Sequence, residues 1–530
     1  MSKKKLQVWL PLIFSVVMIA GMFFGFKLHQ ETGGKSFFSR DKKTSLQETL
    51  DLIKDKYVDK IKLDSLQNDA ITDVMNHLDP HSVYIPASDV ETANEELQGN
   101  FEGIGIEFNR FDDTVHILYV IPGGPSDKAG LQIGDKIIKI NDSSIVMKGL
   151  LNDDIKKLIR GNEGSKVKLT ILRGTTIQYK EVVRGTIPLP SLDASYMINA
   201  TTGYIKLNKF AETTYKEFMS AMESLKKNGM QKLILDLRDN PGGFVTQATN
   251  IADEFLDGDK LICYTQGANI AKEEYHAGKE GVFEQGKLVV LIDELTASAS
   301  EILTGALQDW DRATVIGRRS YGKGLVQGQY ELSDGSEIRL TIARYYTPSG
   351  RSIQKPYDKG KKIYDEDLYD RLSHGELYSA DSIHYSKDQK PYKTLIEHRT
   401  VYGGGGIVPD IFVGLDTSNL TKSVSLLYLD GRFSNFVYTY YINHLPSFEQ
   451  YKNPSDFTSH YNGENEVWNQ LVSYAAKDSI KLNNVSGNDK LNIENQIKAY
   501  LARLKWRSQG YYQVSNSFDP AIQKALEVLK

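Results

Sequence analysis

Apolar and polar positions along the chain change period several times, and each change marks an element. Leu6 to Phe26 (LQVWLPLIFSVVMIAGMFFGF) is an uncharged apolar run, about long enough to cross a bilayer as one helix. Lys3, Lys4 and Lys5 precede it, while Lys27, Lys35, Arg40, Lys42 and Lys43 follow. The run is longer than a signal-peptide core and is followed by no small-x-small cleavage site, so the pattern predicts an uncleaved signal anchor over residues 1–30 rather than a cleaved signal peptide. The leading lysines favour a cytoplasmic N-terminus, with the rest of the chain outside. Residues 31–44 are polar and glycine-containing, a tether. Over residues 45–95, Leu46, Leu50, Ile53 and Tyr57 recur at helical spacing and predict a small helical segment.

The period shortens over residues 96–186. FEGIGIEF and VHILYVI read as strands, GGPSDKAGL as a turn with one helical turn, and KIIKIND as a strand ending in a turn. Asn152 is placed to cap a helix with Asp153 and Asp154 in its first turn, where the helix dipole favours anions. KVKLTIL then alternates with period two, which predicts burial of Val167, Leu169 and Ile171. Six short elements make a compact β-rich module.

From residue 187 to 415 strands alternate with helices. GYIKL, KLILDLR and KLVVLI are strand-like; TYKEFMSAMESLKKNGM and FVTQATNIADEFL are helical, the second with Phe244, Ala248, Ile251, Ala252 and Phe255 on one face. This rhythm predicts an α/β layer with a mainly parallel sheet. Residues 355–400 are charged and tyrosine-rich, a surface excursion. Residues 416–530 are mostly helical. The fold class is therefore multidomain α/β + β, with helical segments at both ends.

Composition narrows this picture. A chain of 530 residues is too long for one core. The net charge of −4 supplies no basic field for nucleic acid. Cys263 is the single cysteine, in the apolar run LICY; it forms no intrachain disulfide and reads as a small buried hydrophobe. The carboxylates of the tyrosine-rich stretch have no metal-ligand spacing and read as a solvated face; neither a metal nor a cofactor is expected.

The candidate chemistry lies in TASASE, residues 296–301. Ser298-x-x-Glu301 has the form of a capping box. Ser298 also sits where a strand becomes a helix, at the sheet edge where open α/β folds bind ligands. There the N–H of Ala299, at a helix N-terminus, can stabilise an oxyanion. A second donor is available from Asn240-Pro241-Gly242-Gly243, where glycine lets backbone approach a substrate; the same residues also suit a plain strand–turn–helix connection. A serine hydroxyl needs a base. Lys323, in YGKGLVQ, lies between two glycines. It is either a surface loop lysine or, if buried, a neutral amine able to take the serine proton. Gln327, four residues on, can hold that amine.

These motifs carry a resemblance. FEGIGIEF, PGGPSDKAGLQIGDKIIKIND and the alternating strand resemble a PDZ domain, which implies that Gly103, Ile104, Gly105 and Ile106 bind a peptide C-terminus. LDLRDNPGG, TASASEI with LQDW, and YGKGLVQ, followed by GGGGIVPD, resemble the C-terminal processing (tail-specific) proteases of serine peptidase family S41, from about residue 45 to 413. The resemblance implies a crotonase/Clp-like spiral core, Ser298 as nucleophile, Lys323 as base and Gln327 as its orienter. It implies an oxyanion hole of Ala299, Gly242 and Gly243, and no cofactor. Asp309, included in some catalytic sets of that family, lies about three helical turns from Ser298, some 16 Å along the axis, and is expected to be structural. Thr296 departs from the family's third serine.

The implied function is a serine endopeptidase with a Ser–Lys dyad that recognises and cleaves near the C-termini of bacterial envelope proteins. Its partners are unstructured C-termini and, through the N-terminal segment, a membrane. It is expected at the inner membrane with the catalytic part periplasmic, or secreted if the segment is cleaved. The helical end is a candidate surface for a homo-oligomer. Two alternatives remain: a hydrolase with a histidine base, for which His276, His374, His384 and His398 are the candidates, and a non-catalytic PDZ scaffold that only binds C-termini.

Overall fold

The computed structural model describes residues 3–31, 44–111, 113–146, 148–383, 389–415, 422–483 and 485–530. Most of the expected tether, residues 32–43, therefore lies outside the described residues, as does His384. The chain divides into two compact units, residues 1–73 and 74–530.

The first unit contains the helices Lys3–Glu31 and Ser45–Lys56 and most of Leu63–Asn76. Thr44 caps the second through the Gln47 N–H. Of its periodic residues, Leu50 is buried, whereas Leu46 and Tyr57 are exposed. Among the described residues no helix is long and apolar enough to cross a membrane. That finding corrects the expected signal anchor, the membrane partner and the inner-membrane placement. A span needs about 20 consecutive, mostly apolar residues in one helix.

In the second unit, an antiparallel sheet runs in the order Ile106–Phe111, Thr114–Val120, Lys136–Ile140, Lys166–Arg173, Thr176–Val183. Val167, Leu169 and Ile171 are buried, as their alternation requires. They pack with Val115, Ile117, Ile137 and Ile140, and with Ile155 and Ile159 from the helix Asn152–Ile159. Each such side chain contributes roughly 1.5–3 kcal/mol on burial. Leu151, not Asn152, is the N-cap, and the Asp154 carboxylate accepts its N–H at 3.0 Å. Among the described residues Ile106–Phe111 pairs on one side only and forms a sheet edge.

A second sheet has the order Leu192–Met197, Thr202–Leu207, Lys232–Asp236, Leu288–Ile292, Thr314–Gly317, Ile411–Phe412. Its last four pairings are parallel and its first is antiparallel. Leu288–Ile292 is buried along its whole length, as a strand covered on both faces must be. Phe218, Met222, Ala248, Ile251, Leu303 and Leu307 cover one face. Ile522 and Ala525, from the helix Pro520–Val528, cover the other.

A third sheet, of Val83–Ile85, Glu337–Tyr346, Leu261–Gln266, Glu273–His276 and Leu325–Glu331, is antiparallel throughout. The expectation of a mainly parallel, spiral core is thus corrected, because most strand pairs in the molecule are antiparallel. Parallel neighbours need crossovers of a dozen residues or more. Among the described residues, 202–317 and the return to Ile411–Phe412 supply them; the other pairs are hairpins, such as Leu325–Glu331 with Glu337–Tyr346, or antiparallel partners far apart in sequence, such as Val83–Ile85 with Glu337–Tyr346.

The C-terminal helices have their own core, built on Phe433, Phe436, Phe457, Leu471, Ile497 and Leu501. The long helix Gly487–Ser515 breaks at Trp506 and Arg507, the latter with φ 61°. Arg503 reaches Glu107 of the β-rich module at 2.7 Å, and Arg507 pairs with the same carboxylate. Farther on, Gln509 accepts the Ser195 N–H at 2.9 Å, and Asp519 pairs with Arg238 at 2.7 Å. The helical region thus touches both the module and the α/β core.

Candidate active site

Ser298 sits between Leu288–Ile292 and the helix Ala299–Asp309. Its backbone has φ 57° and ψ −118°, a conformation that costs a non-glycine residue on the order of 1–3 kcal/mol. A capping serine would be extended and would bond the helix with its hydroxyl; Ser298 does neither, and its side chain makes no capping bond. The hydroxyl, half-buried, is left for other work.

The strained turn is held by Glu301. Its Oε2 accepts the backbone N–H of Ser298 at 2.8 Å and that of Lys323, also at 2.8 Å. Its Oε1 accepts the Gly322 N–H at 2.8 Å and the Ser320 hydroxyl at 2.5 Å. One carboxylate therefore ties the serine turn to the lysine loop. A direct backbone bond, Tyr321 N–H to the Thr296 carbonyl at 3.0 Å, adds a second tie. Burial pushes the Glu301 carboxyl up to about 7 against the opposing effect of its four donors. In the sequence Glu301 stands out only as half of a capping box; its span to Lys323 is visible only in three dimensions.

Lys323 is mostly buried. Burial lowers the pKa of its amine, with Arg339 acting in the same direction and Glu301 and Asp79 opposing. Its Nζ donates to Gln327 Oε1 at 3.1 Å. Gln327 Nε2 donates to the His81 carbonyl. The His81 ring bonds Tyr364 Oη at 2.7 Å, and burial, with the nearby Lys323 charge, lowers its pKa to about 4. His81 thus borders this site through Gln327, and sequence reasoning passed over it. The signal available was DPHS, a turn sequence ahead of a strand. His276 instead bonds Glu274 at 3.2 Å, His374 bonds the Asp370 carbonyl at 2.7 Å, and His398 is exposed.

The turn after Lys232–Asp236 lies against Ser298. A Cβ on Gly242, which has φ 96°, would meet the Ala297 carbonyl oxygen at 2.7 Å, Ser298 Cβ at 2.8 Å and the Ala299 nitrogen at 2.9 Å. Asn240 Oδ1 already accepts the Gly242 N–H at 2.9 Å. Among the described residues the N–H groups of Gly243 and Ala299 donate to no protein acceptor. Behind the turn, Asp236 is fully buried with Arg238 at 2.6 Å and Tyr204 Oη at 2.8 Å. Burial alone would raise its pKa, but Arg238 and Lys206 hold it well below the usual carboxylate range.

Asp309 is buried and bonds Arg351 at 2.7 Å, Thr347 Oγ1 at 2.5 Å and the Ser349 N–H at 3.0 Å. These contacts anchor the helix end. Cys263 is buried in an apolar cluster, and burial pushes its thiol up to about 12. A second locus forms on the module. Gly103, Ile104, Gly105 and Ile106 line a groove of about 200 Å³ with Phe101 and Ile159. Among the described residues no group of acidic, histidine or cysteine side chains is arranged to hold a metal ion.

A glycine-lined groove on a β-rich module, together with a strand–turn–helix serine and a buried lysine in the α/β core, has the parts of a serine peptidase of modular build. Family models match accordingly: a PDZ domain over residues 116–173, peptidase family S41 over residues 201–360, and a family of unknown function over residues 424–507. The carboxy-terminal processing protease CtpA of Bacillus subtilis (strain 168) is 37% identical over 326 residues, 61% of this chain and 69% of that protein. A probable CtpA-like serine protease of Staphylococcus aureus (strain N315) is 30% identical over 387 residues, 72% and 76% of the two chains. Among solved structures, a photosystem II D1 C-terminal processing protease is 28% identical with a TM-score of 0.36, covering 61% of this chain and 84% of that one. The chain belongs to the CtpA-like carboxy-terminal processing proteases of peptidase family S41, carries a PDZ domain, and is a serine-type endopeptidase that acts near C-termini.

Proposed function

We propose that Ser298 and Lys323 form the catalytic dyad and that Gln327 orients the lysine. The observation that carries this reading is Glu301, whose single carboxylate oxygen accepts the N–H of both dyad residues at 2.8 Å. Lys323 is desolvated, so a fraction of it is neutral at working pH and can accept the Ser298 proton. Ser298 Oγ attacks the scissile carbonyl, and the Lys323 ammonium returns the proton to the leaving amine. Water then hydrolyses the acyl-enzyme, with Lys323 again taking the proton. The N–H groups of Ala299 and Gly243 suit the oxyanion, since that of Gly242 is committed to Asn240.

The substrate enters as an unstructured tail. Its carboxylate fits the loop Gly103-Ile104-Gly105-Ile106, and its backbone adds to the free edge of Ile106–Phe111. We place the physiological substrates among bacterial envelope proteins. The corresponding domains are the module at 96–186, the core at 187–415 and the helical region at 416–530.

The test compares wild type with Ser298→Ala and Lys323→Ala on an unstructured reporter protein, reading its C-terminus by mass spectrometry. Ser298→Ala leaves the C-terminus intact. Lys323→Ala lowers kcat by about 10²–10⁴, the usual loss for an acid–base group. Wild-type turnover in Lys323→Ala would return the base to a histidine. In cells, proteins of the envelope accumulate with intact C-termini when Ser298→Ala replaces wild type.

A further inference from the structure

Gln327 is a clamp with two unlike ends. An amide carries an acceptor oxygen and a donor NH2 group. Oε1 accepts from Lys323 Nζ at 3.1 Å, and Nε2 donates to the main-chain carbonyl of His81. A carbonyl can only accept, so it fixes which way the amide faces. Turned over, the amide would set an NH2 group against the amine and an oxygen against the carbonyl. The His81 carbonyl therefore directs an acceptor at Lys323. That acceptor occupies one N–H of the neutral amine and leaves its lone pair for the serine proton.

The carbonyl is itself held by Asp79. Asp79 Oδ1 accepts the N–H groups of His81 at 2.8 Å and Ser82 at 2.9 Å, and Oδ2 accepts the Ser82 hydroxyl at 2.5 Å. The turn is then tied to the strand beside the clamp. Asp79 Oδ1 accepts from Thr341 Oγ1 at 3.0 Å, and Ser82 Oγ accepts the Thr341 N–H at 3.1 Å. Thr341 is the cross-strand partner of Gln327. Val83–Ile85 continues from the turn as a strand paired with Glu337–Tyr346, with Val83 opposite Arg339. Asp79 and Ser82 are both buried. The turn is thus bonded into the same strand pair that carries Gln327.

We propose that Asp79 is a positioning residue for proton transfer: by fixing the His81 carbonyl it sets the orientation of the Gln327 amide and, through it, the place of the Lys323 amine. The inference rests on Lys323 being the base. The charged or titratable groups facing that amine are Glu301, Arg339, Asp79 and His81. Among them Glu301 and, to a smaller extent, Asp79 favour the ammonium form.

The test is a double-mutant cycle in the full chain with Asp79→Ala, Gln327→Ala and both together, using a quenched fluorescent peptide of unstructured sequence. Each single variant is expected to lower kcat by roughly 10–100-fold with little change in KM, the scale on which a misplaced reacting group slows chemistry. The double variant is expected to be no slower than the worse single, because both act through one amide. Losses that multiply, or an unchanged kcat in Asp79→Ala, overturn the proposal. Asp79→Asn keeps an acceptor for the turn but removes the charge, and carries the test if Asp79→Ala does not fold. It is expected to retain most of kcat and to move the rising limb of the pH–rate profile to lower pH; a limb that stays or rises counts against the proposal. Lys323→Ala separates the two readings. Wild-type turnover there removes the dyad itself, whereas a dead Lys323→Ala with multiplying losses in the cycle removes only the role of Asp79.

Discussion

The two glycine turns proposed to meet substrate differ in kind in their surroundings. In the peptide loop of the module, a Cβ on Gly105 (φ 73°) would first meet the Cδ1 of Ile187 at 3.1 Å, and one on Gly103 would meet the ring of Phe101 at 2.8 Å. Both obstacles are side chains that can rotate. At the catalytic turn, a Cβ on Gly242 would strike main chain of the Ser298 loop, and one on Gly243 would strike the Phe210 carbonyl. Backbone cannot move without moving the nucleophile. The proposed peptide groove is bounded by side-chain walls. A turn that presents N–H groups to one transition state is bounded by fixed ones, which is what electrostatic preorganisation requires.

The sharpest way to break this contrast is Gly242→Ala. The added methyl displaces Ala297–Ala299, and kcat is expected to fall by about 10²–10³, the scale of a lost oxyanion donor. A mild effect in steady-state kinetics would erase the distinction between the two turns.

Next in size is the pH dependence of the catalytic locus. In the proposed dyad neutral Lys323 is the active form, and burial lowers its pKa. Activity therefore rises with pH through a value below the ordinary lysine range, by about tenfold per unit on the rising limb. Peptide binding to the module, measured by fluorescence anisotropy, is expected not to follow that limb.

Glu301→Gln probes the fixed walls themselves. An amide cannot accept at both ends, so either the Ser298 and Lys323 N–H groups or the Gly322 N–H and Ser320 hydroxyl face a donor. Each donor left buried without a partner costs about 1–3 kcal/mol, and the melting temperature is expected to drop by several degrees. The wild-type carboxyl has its folded pKa raised from 4.5 to about 7. Its stability contribution is complete below 4.5 and is lost as pH rises through about 7. Thermal melts from acid to neutral pH are expected to show that decline in wild type and not in Glu301→Gln.

The smallest effect belongs to the adjustable wall. Gly105→Ala places an alanine at positive φ, at a cost of roughly 1–2 kcal/mol, and Ile187 can rotate away. A several-fold weaker Kd for a C-terminal peptide is expected, with kcat unchanged.

Much of this was legible along the chain. Val167, Leu169 and Ile171 alternate and are buried; KLILD and LVVLI are continuous apolar runs and become covered strands. The peptidase family could be read from three short motifs, because each is a local strand–turn–helix or loop sequence whose order survives folding. Other features were not legible. Parallel pairing was extended from the strand–helix rhythm to the whole core at 187–415, while Leu261–Gln266 takes an antiparallel partner, Glu337–Tyr346, from far along the chain, which rhythm does not encode; the hairpin of Leu325–Glu331 with Glu337–Tyr346 was legible from the turn SDGSE between two strand-like runs. The N-terminal apolar run suggested an anchor, which the described helices do not support. The tyrosine-rich stretch at 355–400 suggested solvent, yet Tyr364 and Arg371 are buried in it, because their partners, His81 and the Arg319 and Ser320 carbonyls, come from elsewhere in the chain.

The chain's own pattern determined the family and the local conformations of the proposed site residues, since periodicity, glycine placement and turn composition act over a few neighbouring residues. Only the tertiary structure decided what those residues meet. Glu301 joins a serine turn and a lysine loop more than twenty positions apart, Asp79 reaches Thr341 across 262 positions, and Gln327 reaches His81 across 246. Such contacts depend on which strands become neighbours, and that is settled by how the whole core packs rather than by any one stretch of chain.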